Sequence, residues 1–89
     1  MSEIIRPDVS DAAVARAFME LRMALTDRVA RHGPGAFAGP HEIDGVLDEE
    51  IREWKHAVWI NDNQGRRREL LDVAVVCLFG LASLEELGR

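Results

Sequence analysis

The run from Leu70 to Leu84 constrains this chain more than any other stretch. Leu70, Leu71, Val73, Ala74, Val75, Val76, Cys77, Leu78, Phe79, Leu81 and Leu84 recur at nearly every angle around a helix axis. A helix built from them is apolar all round and has to be covered all round. Val73, Val75 and Val76 would also suit a strand, but the run is long and carries acids at helical spacing, so helix is the better reading. With 89 residues the chain makes one small domain, 1–89. Two further helices cannot cover such a helix completely. The expectation is an all-α chain whose third helix also packs against another subunit, in a helical-bundle dimer or tetramer. Asp72, Gly80 and Ser83 interrupt the run, and it is shorter than a bilayer requires, so no membrane partner is expected.

The rest of the chain divides at its glycines and prolines. Residues 1–7 read as a loose arm. Asp8 or Ser10 can cap a helix over about 9–32, with Val14, Ala17, Phe18, Leu21, Ala24, Leu25 and Val29 as a buried stripe. Gly33-Pro34-Gly35-Ala36-Phe37-Ala38-Gly39-Pro40 ends it as a defined loop that Phe37 pins to the core. This loop matches no phosphate-binding glycine motif, so a plain helix connection is expected. Pro40 suits the first turn of a second helix, about 40–60. Asn61 to Gly65 has turn composition, and a third helix is expected over about 66–87.

The charge balance is 11 basic against 16 acidic residues, net −5. That sign argues against a nucleic-acid polymer as partner. One cysteine, Cys77, rules out an internal disulfide and a cysteine-based zinc site. It is expected to be an inert buried thiol. A reducing cytoplasm is the natural setting, and Met1 to Asp8 has no apolar signal region.

Chemistry concentrates in two acidic pairs, Glu50 with Glu53 and Glu69 with Asp72. Each pair is three residues apart and so shares one helix face. On the second helix, Ile43, Leu47, Trp54 and Val58 mark the apolar stripe. Glu50 falls in its middle and Glu53 on its border. A carboxylate on a buried face is costly unless paired or metal-bound. A symmetric hairpin turning near residue 61 would bring the two pairs level to within about one helical turn, roughly 5 Å. Four hard oxygen ligands suit Mg²⁺ or Mn²⁺, which bridges carboxylates to substrate phosphates and supports metal-assisted hydrolysis.

Glu-x-x-Glu, a spacer, then Glu-x-x-Asp resembles the signature of the all-α nucleoside triphosphate pyrophosphohydrolases, the MazG-like superfamily. The flanking text is similar as well: Leu47 to Trp54 around the first pair, Arg68 to Ala74 around the second, and His41 to Gly45 entering the second helix. The resemblance spans about Phe37 to Leu84. It implies Mg²⁺-dependent hydrolysis of a nucleoside triphosphate to the monophosphate and pyrophosphate, in helical homodimers or homotetramers. Glu50, Glu53, Glu69 and Asp72 would then be metal ligands or would orient the attacking water. Family members often carry further polar residues beyond the last acid, where this chain has Val75, Val76, Phe79 and Gly80. The alternative is a non-catalytic oligomerisation or regulatory module that binds metal or nucleotide through the same acids.

Three basic residues are substrate-binding candidates. Arg66 and Arg68 open the third helix, where positive charge opposes the macrodipole, and Lys55 lies near the first acidic pair. Solvated roles compete for each. His32, His41 and His56 are too dispersed for a zinc site; His41 near a helix start and His56 beside the acids could contact a ligand, though surface or capping roles are favoured. Trp54 is expected in the core. Trp59 or Phe18 could stack on a base, though core packing or a subunit contact is favoured.

Overall fold

In a computed structural model the described residues are 4–89, and among them every regular element is helical. Helix α1 spans Asp11–His32, α2 spans Pro40–Trp59 and α3 spans Asn63–Glu86. Residues 1–3 of the expected N-terminal arm lie outside the described part; residues 4–10 carry no helix.

Local chemistry sets each boundary. Ser10 is the N-cap of α1, its hydroxyl accepting from the Ala13 N–H at 3.1 Å. Gly33 closes the helix at φ 83°, in the left-handed region that glycine enters without steric cost, and its N–H donates to the Val29 carbonyl at 2.8 Å. Pro40 begins α2 as expected. The start of α3 differs from the sequence expectation by about a turn. Asp62 caps it by accepting from the Gly65 N–H at 3.0 Å. Asn63, Gln64 and Gly65 are therefore its first turn, not part of the loop. A Cβ on Gly65 would collide with the Asp62 carboxylate, so glycine is what lets this cap form. The connection shrinks to Ile60–Asp62, with Asn61 at φ 61°.

Helices α2 and α3 form the main antiparallel hairpin, and α1 leans against α3. Phe37, Val76 and Phe79 are buried at the centre, with Leu25, Val29, Ile43, Val46 and Leu47 packed around them. Phe37 and Phe79 meet edge to face, with ring centroids 5.2 Å apart at 89°. The Phe37 N–H donates to Ser83 Oγ at 3.0 Å, and that hydroxyl donates to the Phe79 carbonyl at 2.8 Å. The Gly-Pro loop is thus pinned as the sequence suggests. From α1, the Arg28 guanidinium lies 4.9 Å from the Phe37 ring centre and 4.6 Å from that of Phe79, a cation–π contact on both rings. Gly80 lets α3 approach α2 closely, since a Cβ there would sit 3.2 Å from Ile43 Cγ2.

Three sequence expectations need correction. No residue of α1 is fully buried: Leu21, Ala24, Leu25 and Val29 are half-buried, while Phe18 is 68% exposed. The stripe continues past the point where α3 can cover it. Trp54 is half-buried rather than central. Cys77 is exposed, because it lies on the side of α3 facing away from both other helices. The apolar circumference of α3 is covered on one side only, with Leu70 at 52% and Leu81 at 68% exposure.

The pinned loop generates a stability prediction. Phe37→Ala is expected to destabilise by about 3–5 kcal/mol. Ser83→Ala, which strands the Phe37 N–H, should cost about 1–3 kcal/mol. Urea midpoints at constant slope measure both. A Phe37→Ala loss below about 1 kcal/mol would show that the loop stands outside the cooperative core.

Candidate metal centre

A hairpin turning at Asn61 has its midpoint where the acidic pairs require it. Residues 51.5 and 70.5, the pair centres read from the sequence, are equidistant from 61. Carboxylate oxygens of Glu50, Glu69 and Asp72 accordingly converge, all within 4.8 Å of one another. Glu53 is not in this convergent trio. It is exposed but lies beside Glu69, within hydrogen-bonding reach of that carboxyl. Three of the four expected ligands therefore share one point in space, and the fourth sits at its edge.

The electrostatics of the group follow from burial and like charge. The Glu50 carboxyl is pushed up from 4.5 to about 7, first by burial, then by Glu53, Asp72, Glu69 and Glu49. Burial also raises Glu69, followed by the hydrogen bond and charge of Glu53 and the charge of Asp72, with Arg68 opposing. Asp72 is raised by burial and by Glu53, with Arg68 and Arg31 opposing. Glu50 Oε2 and Glu69 Oε2 are buried with no hydrogen-bond partner. Carboxylate oxygens in that condition need a proton or a cation.

The basic candidates separate. Arg68 faces the cluster, its Nε 3.7 Å from Glu69 Oε1. Lys55 is exposed, and neither Lys55 nor Arg66 lines a groove beside the acids. Arg67 instead ties α3 to α1 through Glu20 at 2.9 Å. Arg31 was missed in the sequence because it belongs to α1, far away along the chain; only the fold brings its charge to Asp72. Arg52 and His56 lie close to Glu53 along α2. With Glu53, Ile60, Arg68 and Glu69 they line a groove of about 330 Å³ beside the turn of the hairpin. A larger, mainly apolar groove of about 590 Å³ runs between α1 and α3, past Val14, Phe18, Leu21, Leu70 and Leu71. It contains none of the four acids.

Comparison of the chain with family models, with curated proteins and with solved structures gives no match. The functional reading therefore rests on the site itself and on the sequence resemblance.

Glu50 makes stability depend on pH in a definite direction. Its folded value lies above its ordinary one, so the folded state holds the proton more tightly. Below about pH 4.5 the group is protonated in both states. Between 4.5 and about 7 the unfolded chain ionises first, and stability falls as pH rises. The metal-free thermal midpoint is expected to fall across this window, and Glu50→Gln should flatten the fall. Scanning calorimetry in a chelating buffer measures it; an equal slope in both proteins would remove Glu50 as the cause.

Proposed function

We propose that this chain is a Mg²⁺-dependent nucleoside triphosphate pyrophosphohydrolase. It would cleave a ribo- or deoxynucleoside triphosphate to the monophosphate and pyrophosphate in a reducing cytoplasm. The observation that carries the proposal is the pair of buried, unpartnered oxygens on Glu50 and Glu69, in a trio of carboxylates whose ligand atoms lie within 4.8 Å. Hard oxygen donors with open space beside them fit Mg²⁺, or Mn²⁺ in its place. The resemblance of the Glu-x-x-Glu and Glu-x-x-Asp segments to the MazG-like superfamily supplies the reaction.

Within this reading Glu50, Glu69 and Asp72 hold the metal, each from a fixed helical position. Glu53 hydrogen-bonds at the edge and orients water toward the phosphate. When bound, Mg²⁺ lowers the charge on phosphate oxygens and activates water. Burial of Glu50 makes it the ligand with most to gain from the cation, because ionisation there is costly without one.

Assembly is part of the proposal. Phe18, Met19 and Met23 on α1 and Leu70 and Leu81 on α3 are all more than half exposed. Apolar surface of this extent favours a homodimer or homotetramer. Sedimentation at micromolar concentration is expected to give at least twice the chain mass, and a monomer would overturn the assembly.

The catalytic claim is tested by pyrophosphate release from a panel of nucleoside triphosphates with Mg²⁺. Glu50→Gln should lower turnover by about 100-fold or more, with helical circular dichroism unchanged. Full turnover in Glu50→Gln would refute the site. The run of Val75, Val76 and Phe79 after Asp72 favours a second reading, a binding module without turnover. Mg²⁺ binding with no pyrophosphate release across the panel would select it.

A further inference from the structure

The chain exposes more surface than a monomer of its mass should. Its accessible area is 7391 Å², whereas a monomeric protein of 10.0 kDa exposes about 5,200 Å². The excess, roughly 2,000 Å², is what one subunit gives up in an obligate dimer, whose interface buries about 2,000–5,000 Å² over both partners. The fold shows where the excess lies. Arg67 in the second turn of α3 meets Glu20 in the third turn of α1, and Arg28 lies over Phe79 further along both helices. The two helices therefore run parallel, and the first turns of α1 reach past the start of α3. We propose that the groove between α1 and α3 seats α1 of a second copy, antiparallel, about a two-fold axis near Ala17. This deepens the assembly proposed above, on which it rests for the second copy, and it is independent of the reaction.

On α1 the lining of this groove is centred on Ala17, with Ala13 and Leu21 one turn to either side and Arg16 and Glu20 along one edge. Leu70, Leu71 and Ala74 face them from α3. Val14 and Ala17 are exposed, yet they prolong the half-buried stripe of Leu21, Ala24 and Leu25. One apolar stripe thus runs from a contact made inside the chain straight into one left open. None of the four acids lines it, so the surface is separate from the candidate metal centre.

A two-fold interface has to be complementary to itself, and this stretch of α1 is. In antiparallel helices each residue meets the one equally far beyond the axis. With the axis at Ala17, Ala13 of each copy meets Leu21 of the other, and the two Ala17 side chains meet each other. Alanine at the crossing lets the helices approach closely, toward the lower end of the usual spacing of about 8–10 Å. Along the edge, Arg16 of each copy falls about 3 Å in axial height from Glu20 of the other. Arg16 has no ion-pair partner among the described residues. Glu20 is held in place by Arg67 at 2.9 Å and has a second oxygen to offer. Two such opposite-charge contacts per dimer fix the register of the helices.

Sedimentation equilibrium of wild type and variants tests this, with circular dichroism at the same concentrations to confirm the helices. Ala17→Glu alters an exposed helical position and sets two carboxylates against each other across the axis. It should raise the dimer dissociation constant by about 100-fold or more. Arg16→Glu should raise it by about 10-fold, and the double variant Arg16→Glu with Glu20→Arg should regain most of that loss. With Cys77→Ser removing the native thiol, Ala17→Cys should form a disulfide-linked dimer on mild oxidation. A monomeric wild type, or undiminished association in Ala17→Glu, overturns the interface. So does dissociation by Leu81→Glu, on the uncovered side of α3, where Ala17→Glu leaves the dimer intact. Nucleotide turnover by wild type together with undiminished association in Ala17→Glu refutes the interface and leaves the hydrolase standing. Association that depends on Ala17, with no pyrophosphate release, supports the interface and refutes the hydrolase.

Discussion

Everything at the site depends on how α3 starts. The Asp62 side chain accepts from the Gly65 N–H, which fixes the first turn of α3 one residue after Asp62. Because a helix advances about 1.5 Å and turns about 100° per residue, the helix that follows this cap carries Glu69 and Asp72 on one face. The burial of Val76 and Phe79 further along the same helix holds that facing. Gly65 is the condition for the cap, since any Cβ there meets Asp62. Turn chemistry, more than the acids themselves, makes the cluster a cluster.

Energy runs the other way. Three carboxylates gathered in a half-dry place repel one another, and the fold has to hold them there. The hairpin does so with contacts at the opposite end, where Phe37, Val76, Phe79 and Ser83 lock the loop between α1 and α2 onto α3. Arg28 extends the lock to α1 by lying over both phenyl rings. The arrangement separates a dry end that supplies stability from a polar end that costs it. Such a division is common where a site keeps strain that the rest of the molecule offsets.

Sequence reasoning recovered the helices, the pinned loop and the level of the acidic pairs, because each depends on periodicity or on local residue chemistry. Glu50 was identified from its place in the apolar stripe, and its buried, unpartnered oxygen agrees with that placement. Where the sequence misled, the cause was non-local. Asn61 to Gly65 has the composition of a turn throughout, yet the Asp62 cap recruits Asn63 to Gly65 into the helix. The buried stripe of α1 fades because α3 reaches only part of it, and periodicity carries no information about how far a neighbour extends. Cys77 was assigned to the interior since its neighbours are apolar, but one side of α3 has nothing against it within the chain. Arg31 was invisible as part of the set, since it comes near Asp72 only through the packing of α1, whereas His56 lies close to Glu53 along α2 itself.

The apolar residues after Asp72 now have a physical explanation. Val76, Phe79 and Ser83 lie four, seven and eleven residues beyond Asp72, on the same helix face. That face carries acids over its first half and the molecular core over its second. A polar side chain at 76 or 79 would sit where Phe37 is buried, so this chain has no room for further ligands along α3. Further polar side chains near the acids come from elsewhere, from Arg31 on α1 and from the α2 wall. The short polar segment and the long apolar helix are two consequences of the same requirement. In a chain this small, one helix face has to serve both the core and the site.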